Sequence, residues 1–125
     1  MPRSALVVDD SRAQRSMLRR LLTERGYDVA EAGDGSEGVA TLARTGAVDL
    51  VLVDWNMPVM DGLEFIKAVR SNPDYERTQL VMVTSESEPA HIARALMSGA
   101  DEYAIKPLTM DALASKLAIL GLEDE

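Results

Sequence analysis

Residues 49–58 read Asp-Leu-Val-Leu-Val-Asp-Trp-Asn-Met-Pro. The run 49–53 carries four apolar residues in a row with no polar alternation, the pattern of a strand covered on both faces, as the strands of parallel sheets are. Comparable runs lie at 5–8 and 80–83, with weaker ones at 27–30 and 102–105. Between them the apolar spacing turns helical. Met17, Leu18, Leu21 and Leu22 form one stripe opposite Arg12, Arg15 and Arg19, with Gly26 as a stop. Residues 34–44 form a second helix, weakened by Gly38 and Thr41. Leu63, Ile66 and Val69 mark a third, ended by Asn72-Pro73, and Ile92, Ala95 and Leu96 a fourth, stopped by Gly99. Met110, Leu113, Ala114 and Leu117 make the last, behind Thr109 as N-cap. The order is βα five times over. With right-handed crossovers that gives an α/β fold, a doubly wound parallel sheet with helices on both faces.

The 125 residues fit one domain, expected to span 1–125. Thirteen basic against 21 acidic side chains leave a net charge of −8, which argues against a nucleic-acid binder. No apolar run approaches the ~20 residues of a membrane helix, so no membrane insertion is expected. Residues 1–10 end on two aspartates and do not form a signal peptide, which makes the cytoplasm the expected compartment. Cysteine is absent, which removes disulfides, thiolate zinc sites and a cysteine nucleophile. The one biased segment is the acidic end, Glu123-Asp124-Glu125.

In sheets of this kind ligands bind beyond the carboxyl ends of the strands, near the point where strand order reverses. The residues that end the strands are therefore the informative ones. They are Asp9-Asp10, Asp54, Thr84-Ser85 and Lys106-Pro107. Three clustered carboxylates repel one another, and a hard divalent cation such as Mg²⁺ relieves that conflict. Asp9-Asp10 alone could simply begin a loop and cap a helix, but nothing about a buried strand calls for Asp54 directly after Val53. Arginine occurs ten times and lysine three times, so a lysine at position 106 is notable as a compact point charge. Pro107 permits a cis peptide that would aim Lys106 inward. The sole histidine, His91, far along the chain from the acidic cluster and near the start of the fourth helix, is expected to be a solvated helix residue. Met57 and Met60 read as loop packing, and Arg12, Arg15, Arg19 and Arg20 as a solvated basic face or a docking patch. Gly62 reads as a turn or helix start.

Together, Asp9-Asp10, Asp54 in VDWNMPVMDG, Thr84 in VMVTS, Tyr103 and Lys106-Pro107 resemble the receiver domain of two-component response regulators. The resemblance runs from Ala5 to near Leu120, and residues 54–62 are most similar to the single-domain chemotaxis members. It implies a flavodoxin-like (βα)₅ fold with strand order 2-1-3-4-5. It also implies that a histidine kinase, or a histidine phosphotransfer protein, passes a phosphoryl group to Asp54, the receiver itself catalysing the transfer. Mg²⁺ would be held by Asp10, Asp54 and the main-chain carbonyl of Asn56, with Asp9 partly through water. Lys106 would neutralise phosphoryl charge, and Thr84 would donate its hydroxyl to the bound group. Tyr103 would then turn from solvent to the interior and alter the face of the fourth helix, fifth strand and fifth helix, where a downstream protein target binds. Pro89, Ile92, Tyr103 and Lys116 map to that face. Asn56 and Glu86 match the types that tune dephosphorylation. The alternatives are a phosphoryl shuttle or sink without its own effector, and a Mg²⁺-dependent phosphohydrolase with an aspartyl nucleophile. Against the latter stand Asn56, where such enzymes carry an acid-base carboxylate, and the lack of a segment long enough for a cap.

Overall fold

The computed structural model describes residues 2–123; Met1, and Asp124 and Glu125 of the acidic end, lie outside that range, as do the expected domain limits. The elements are β1 (Ser4–Val8), α1 (Arg12–Glu24), β2 (Asp28–Ala32), α2 (Gly35–Thr45), β3 (Leu50–Val53), α3 (Gly62–Arg70), a 3₁₀ turn at Pro73–Tyr75, β4 (Gln79–Thr84), α4 (Pro89–Met97), β5 (Glu102–Ile105) and α5 (Met110–Ile119). All four strand pairings are parallel, in the order β2-β1-β3-β4-β5. This is the doubly wound flavodoxin-like sheet read from the sequence. Its strand order reverses between β1 and β3, which sets the switch point beside Asp9 and Asp54.

The alternation of each central strand divides the apolar interior in two. Leu6, Val8, Val51, Val53, Leu80 and Met82 face one layer, closed by Leu42 of α2, Leu63, Phe65, Ile66 and Val69 of α3, and Ala95 of α4. Ala5, Val7, Leu50, Leu52, Val81 and Val83 face the other, closed by Leu18 and Leu22 of α1 and Leu113 and Leu117 of α5. Gly38 and Thr41, read as weak points of α2, are buried, and a Cβ on Gly38 would stand 2.8 Å from the Phe65 ring. They lower intrinsic helicity but let α2 pack closely on α3.

Four helices begin on side-chain caps that the sequence supplies. Ser11 accepts from the Gln14 N–H, Asp34 from Glu37 and Thr109 from Ala112. Asp61 and Glu64 form a reciprocal capping box at α3.

Two expectations are corrected. The second strand runs on to Ala32 rather than ending at residue 30, because Glu31 and Ala32 pair with Val7 and Val8; the Glu31 carboxylate is held by Arg15 and Arg19. Leu96 is 44% exposed instead of lining the buried stripe of α4. The short α4 meets the sheet through Ala95, with Ile92 packed partly against the same layer.

Candidate functional site

The switch point gathers its side chains from three strand ends. Asp9 follows β1, and its main chain continues the sheet by donating to the Ala32 carbonyl. Asp54 follows β3 and donates from its N–H to Val8, while the Lys106 N–H beyond β5 reaches Thr84. One carboxylate oxygen from each of Asp9, Asp10 and Asp54 lies within 4.8 Å of the others. Lys106 Nζ sits between two of these acids, 3.0 Å from Asp9 Oδ2 and 3.0 Å from Asp54 Oδ2. The remaining oxygens of this pair are occupied by backbone donors, Ser11 on Asp9 Oδ1 at 2.9 Å and Trp55 on Asp54 Oδ1 at 2.7 Å. The Lys106–Pro107 peptide is cis.

Asp9 is 1% exposed, so its charge needs a partner. Burial alone would lower the Lys106 pKa, but the hydrogen bonds and charges of Asp9 and Asp54 outweigh it and hold the pKa above its ordinary 10.5. The ammonium therefore persists through the neutral range, and the two ion pairs are lost only in alkali, as pH rises through that raised value. Three carboxylates still outnumber one ammonium. The oxygen-only donor set and the surplus negative charge fit a hard divalent cation of the Mg²⁺ type.

Around this pocket the other candidate residues converge on Glu86. Thr84, buried at the end of β4, accepts a 3.4 Å hydrogen bond from the Glu86 N–H. Asn56 Nδ2 stands 3.5 Å from Glu86 Oε1, and Tyr103 donates its hydroxyl to the Glu86 carbonyl. Tyr103, expected to begin in solvent, is already turned inward at 6% exposure, because that carbonyl gives its hydroxyl a partner beneath the β4–α4 connection. Burial, and then the charges of Glu86 and Asp54, raise its pKa and keep the phenol protonated.

His91 is also corrected. Its ring meets Trp55, the neighbour of Asp54, edge-on at 5.3 Å and 88°, and the Arg94 guanidinium lies 5.7 Å from the centre of the same indole. The spacing of His91 and Arg94 on one helical face was readable; their meeting with Trp55 needed the sheet to bring β3 and α4 together. Met57 and Met60 pack against the first layer, as loop packing requires. The basic face of α1 is reduced by the pairing of Arg15 and Arg19 with Glu31, leaving Arg12 and Arg20 exposed. Arg15 also donates to the Asp9 carbonyl at 2.7 Å.

The loop after Asp54 contains a feature with no sequence signal. Met60 N–H bonds to the Pro58 carbonyl at 2.8 Å across Val59, whose φ is +69°. That is a γ-turn with a positive central φ, a strained form that a β-branched residue fits poorly. Val59 is 83% exposed, so no packing offsets the strain. Val59→Gly and Val59→Asn are each expected to stabilise the protein by about 1 kcal/mol. A thermal melt checks this, with Val59→Ala as the control that keeps the unfavourable φ.

An α/β domain with an acidic pocket at its switch point, bridged by a lysine from the last strand, defines the class. A family profile described as response regulator receiver domain matches residues 5–118, and the chain belongs to that family. It is similar to a chemotaxis protein CheY homolog of Campylobacter jejuni, 42% identical over 118 residues covering 93% of this chain and 91% of the relative. The CheY1 chemotaxis protein of Helicobacter pylori is 38% identical over 121 residues, covering 95% of this chain and 98% of its own. Among solved structures, chemotaxis protein CheY4 of Vibrio cholerae superposes with a TM-score of 0.89 at 35% identity, covering 96% of this chain and 99% of that one. The protein is thus a CheY-like receiver domain of two-component signalling. Receivers of this kind are signalling proteins that bind Mg²⁺ at an acidic pocket and interact with histidine kinases and downstream targets. No helix among the described residues is long and apolar enough to cross a membrane.

Proposed function

We propose that residues 1–125 act as one cytoplasmic receiver in which Asp54 accepts a phosphoryl group from a histidine kinase or histidine phosphotransfer protein. The observation that carries this reading is the Asp54 carboxylate at the switch point, sharing the Lys106 ammonium with buried Asp9. The acids Asp9, Asp10 and Asp54, with the main-chain carbonyl of Asn56, would hold Mg²⁺, which supplies charge neutralisation at the phosphoryl oxygens when bound. Asp54 attacks phosphorus in line; the new bond forms from its carboxylate oxygen as the bond to the donor nitrogen breaks, and that nitrogen leaves with the electron pair. Lys106 follows the negative charge from the carboxylate onto the phosphoryl group. The Thr84 hydroxyl turns from the Glu86 N–H to donate to a phosphoryl oxygen. Because Glu86 also holds the Tyr103 hydroxyl, that movement disturbs the β4–α4 connection and reshapes the α4–β5–α5 face. Pro89, Ile92 and Lys116, with Tyr103 buried beside them, mark the face offered to a downstream protein target, with chemotaxis the pathway its relatives suggest. Asn56 and Glu86 stand beside the water path and tune dephosphorylation. The catalysis is of the protein's own modification, with no separate substrate turned over.

Incubation with a small acyl phosphate and Mg²⁺ is expected to add one phosphoryl group per chain, mapped to the peptide containing Asp54. A label on any other residue, or multiple turnover of free phosphomonoesters, overturns the reading. The metal is tested separately. Mg²⁺ should change Trp55 fluorescence saturably, and Asp10→Asn should weaken its affinity by on the order of tenfold, because one first-hand carboxylate charge is lost. Superimposable titrations of variant and wild type would remove Asp10 from the ligand set.

A further inference from the structure

His91 is the only histidine in the chain, and α4 carries it against Trp55, the residue that follows Asp54. Its Nδ1 atom is buried and without a hydrogen-bond partner, yet two carboxylates face it, Glu86 Oε2 at 3.7 Å and Glu88 Oε2 at 3.8 Å. The ring cannot swing freely, because its edge is packed on Trp55. Glu86 is the residue on which the switch contacts meet. Its N–H reaches Thr84, its carbonyl takes the Tyr103 hydroxyl, and its Oε1 stands beside the Asn56 amide. Its other carboxylate oxygen faces the imidazole.

We propose that His91 is a positioning residue for loss of the phosphoryl group: its imidazole, packed on the Trp55 ring, faces the Glu86 carboxylate and keeps it next to Asn56, where the two groups align the attacking water. The inference rests on the reading that Asp54 carries the phosphoryl group. In the step itself, the water oxygen bonds to phosphorus as the bond to Asp54 breaks. Asp54 leaves as a carboxylate and the water's proton departs with the released phosphate. Alignment of this sort is an entropic contribution, lost when the carboxylate is free to move.

The charged groups facing the imidazole are Glu86 and Glu88 from the β4–α4 connection, while the loop after β3 presents the uncharged Trp55, over which Arg94 also lies.

The experiment follows phosphate release from purified, kinase-free phosphoprotein in Mg²⁺. His91→Ala should lengthen the lifetime by on the order of threefold to tenfold. His91→Gln, which returns a polar N–H on a side chain of similar length, should restore fast decay. In a Glu86→Ala background, removing His91 should change nothing further. Equal decay in wild type and His91→Ala overturns the proposal, as does a full His91 effect without Glu86. A merely structural histidine would lower the melting temperature and change decay equally with and without Glu86. If Asp54 takes no label at all, the proposed function fails, and the placement of His91 is then decided on the unphosphorylated protein. There, Glu86→Ala should change Trp55 emission in the wild-type background and leave it unchanged in a His91→Ala background. Equal changes in both overturn the contact.

Discussion

Gly62→Ala is expected to cost about 3–5 kcal/mol, enough to leave much of the protein unfolded at ambient temperature. Gly62 opens α3, and its N–H bonds to the Trp55 carbonyl at 2.8 Å. A Cβ at this position would stand 2.0 Å from the Asp54 carbonyl oxygen and 3.0 Å from Trp55 Cα. These are backbone atoms at the end of the most buried strand, so no flexible side chain can yield. Relief requires α3 to move off the sheet, and its buried Phe65 and Ile66 would leave the first layer with it. Denaturant unfolding measures the loss. A variant within about 1 kcal/mol of wild type would mean that the β3–α3 connection adapts far more easily than its contacts allow. The substitution tests the site as well as the fold, since the carbonyl that blocks the Cβ belongs to the proposed acceptor.

Lys106→Ala is expected to separate phosphorylation from switching. In a chelator, removal of the ammonium leaves Asp9, Asp10 and Asp54 without it, and the fold should lose about 2 kcal/mol, less than for a fully buried pair because Lys106 and Asp54 keep some contact with solvent. Mg²⁺ should restore much of that loss, and its affinity should rise, because the lysine no longer competes for the same oxygens. Asp54 should still accept a phosphoryl group, more slowly, while the accompanying change in the Tyr103 environment disappears. Tyr103 resonances followed with and without a stable phosphoryl mimic would show it. If the Tyr103 response survives intact, Lys106 does not couple the acceptor to the output face.

Which features were legible in the sequence follows from the range of the forces involved. The strands were readable because Leu50 to Val53 and its counterparts are apolar on both faces, and burial on both faces leaves no other pattern. The helices were readable from spacing and from a cap such as Thr109, whereas the capping box of Asp61 and Glu64 showed only in the structure. The convergence of Asp9, Asp10, Asp54 and Lys106 was readable because topology alone brings strand ends to one rim. What stayed hidden depends on contacts between distant segments. The extension of β2 through Glu31 relies on two arginines of α1, and the exposure of Leu96 on which side of a short helix meets the sheet. His91 looked like any polar helix residue until Trp55 stood against it. Val59 carries a side chain that by itself favours extended backbone, so its positive φ has no local cause.

The division of the interior by the sheet has a consequence for how such a protein can diverge. Trp55 and Tyr103 lie in the layer shared with α2, α3 and α4, whereas Leu18, Leu22, Leu113 and Leu117 fill the opposite one. A wall of backbone separates the two, so a change of volume on one side is not felt as a clash or a void on the other. The protein therefore has two interiors that can be altered one at a time. The layer beneath α1 and α5 is free to accumulate volume-conserving exchanges that adjust endurance to temperature. The layer beneath α4 can drift separately toward new timing and new partners, and lineages can acquire robustness and responsiveness in either order.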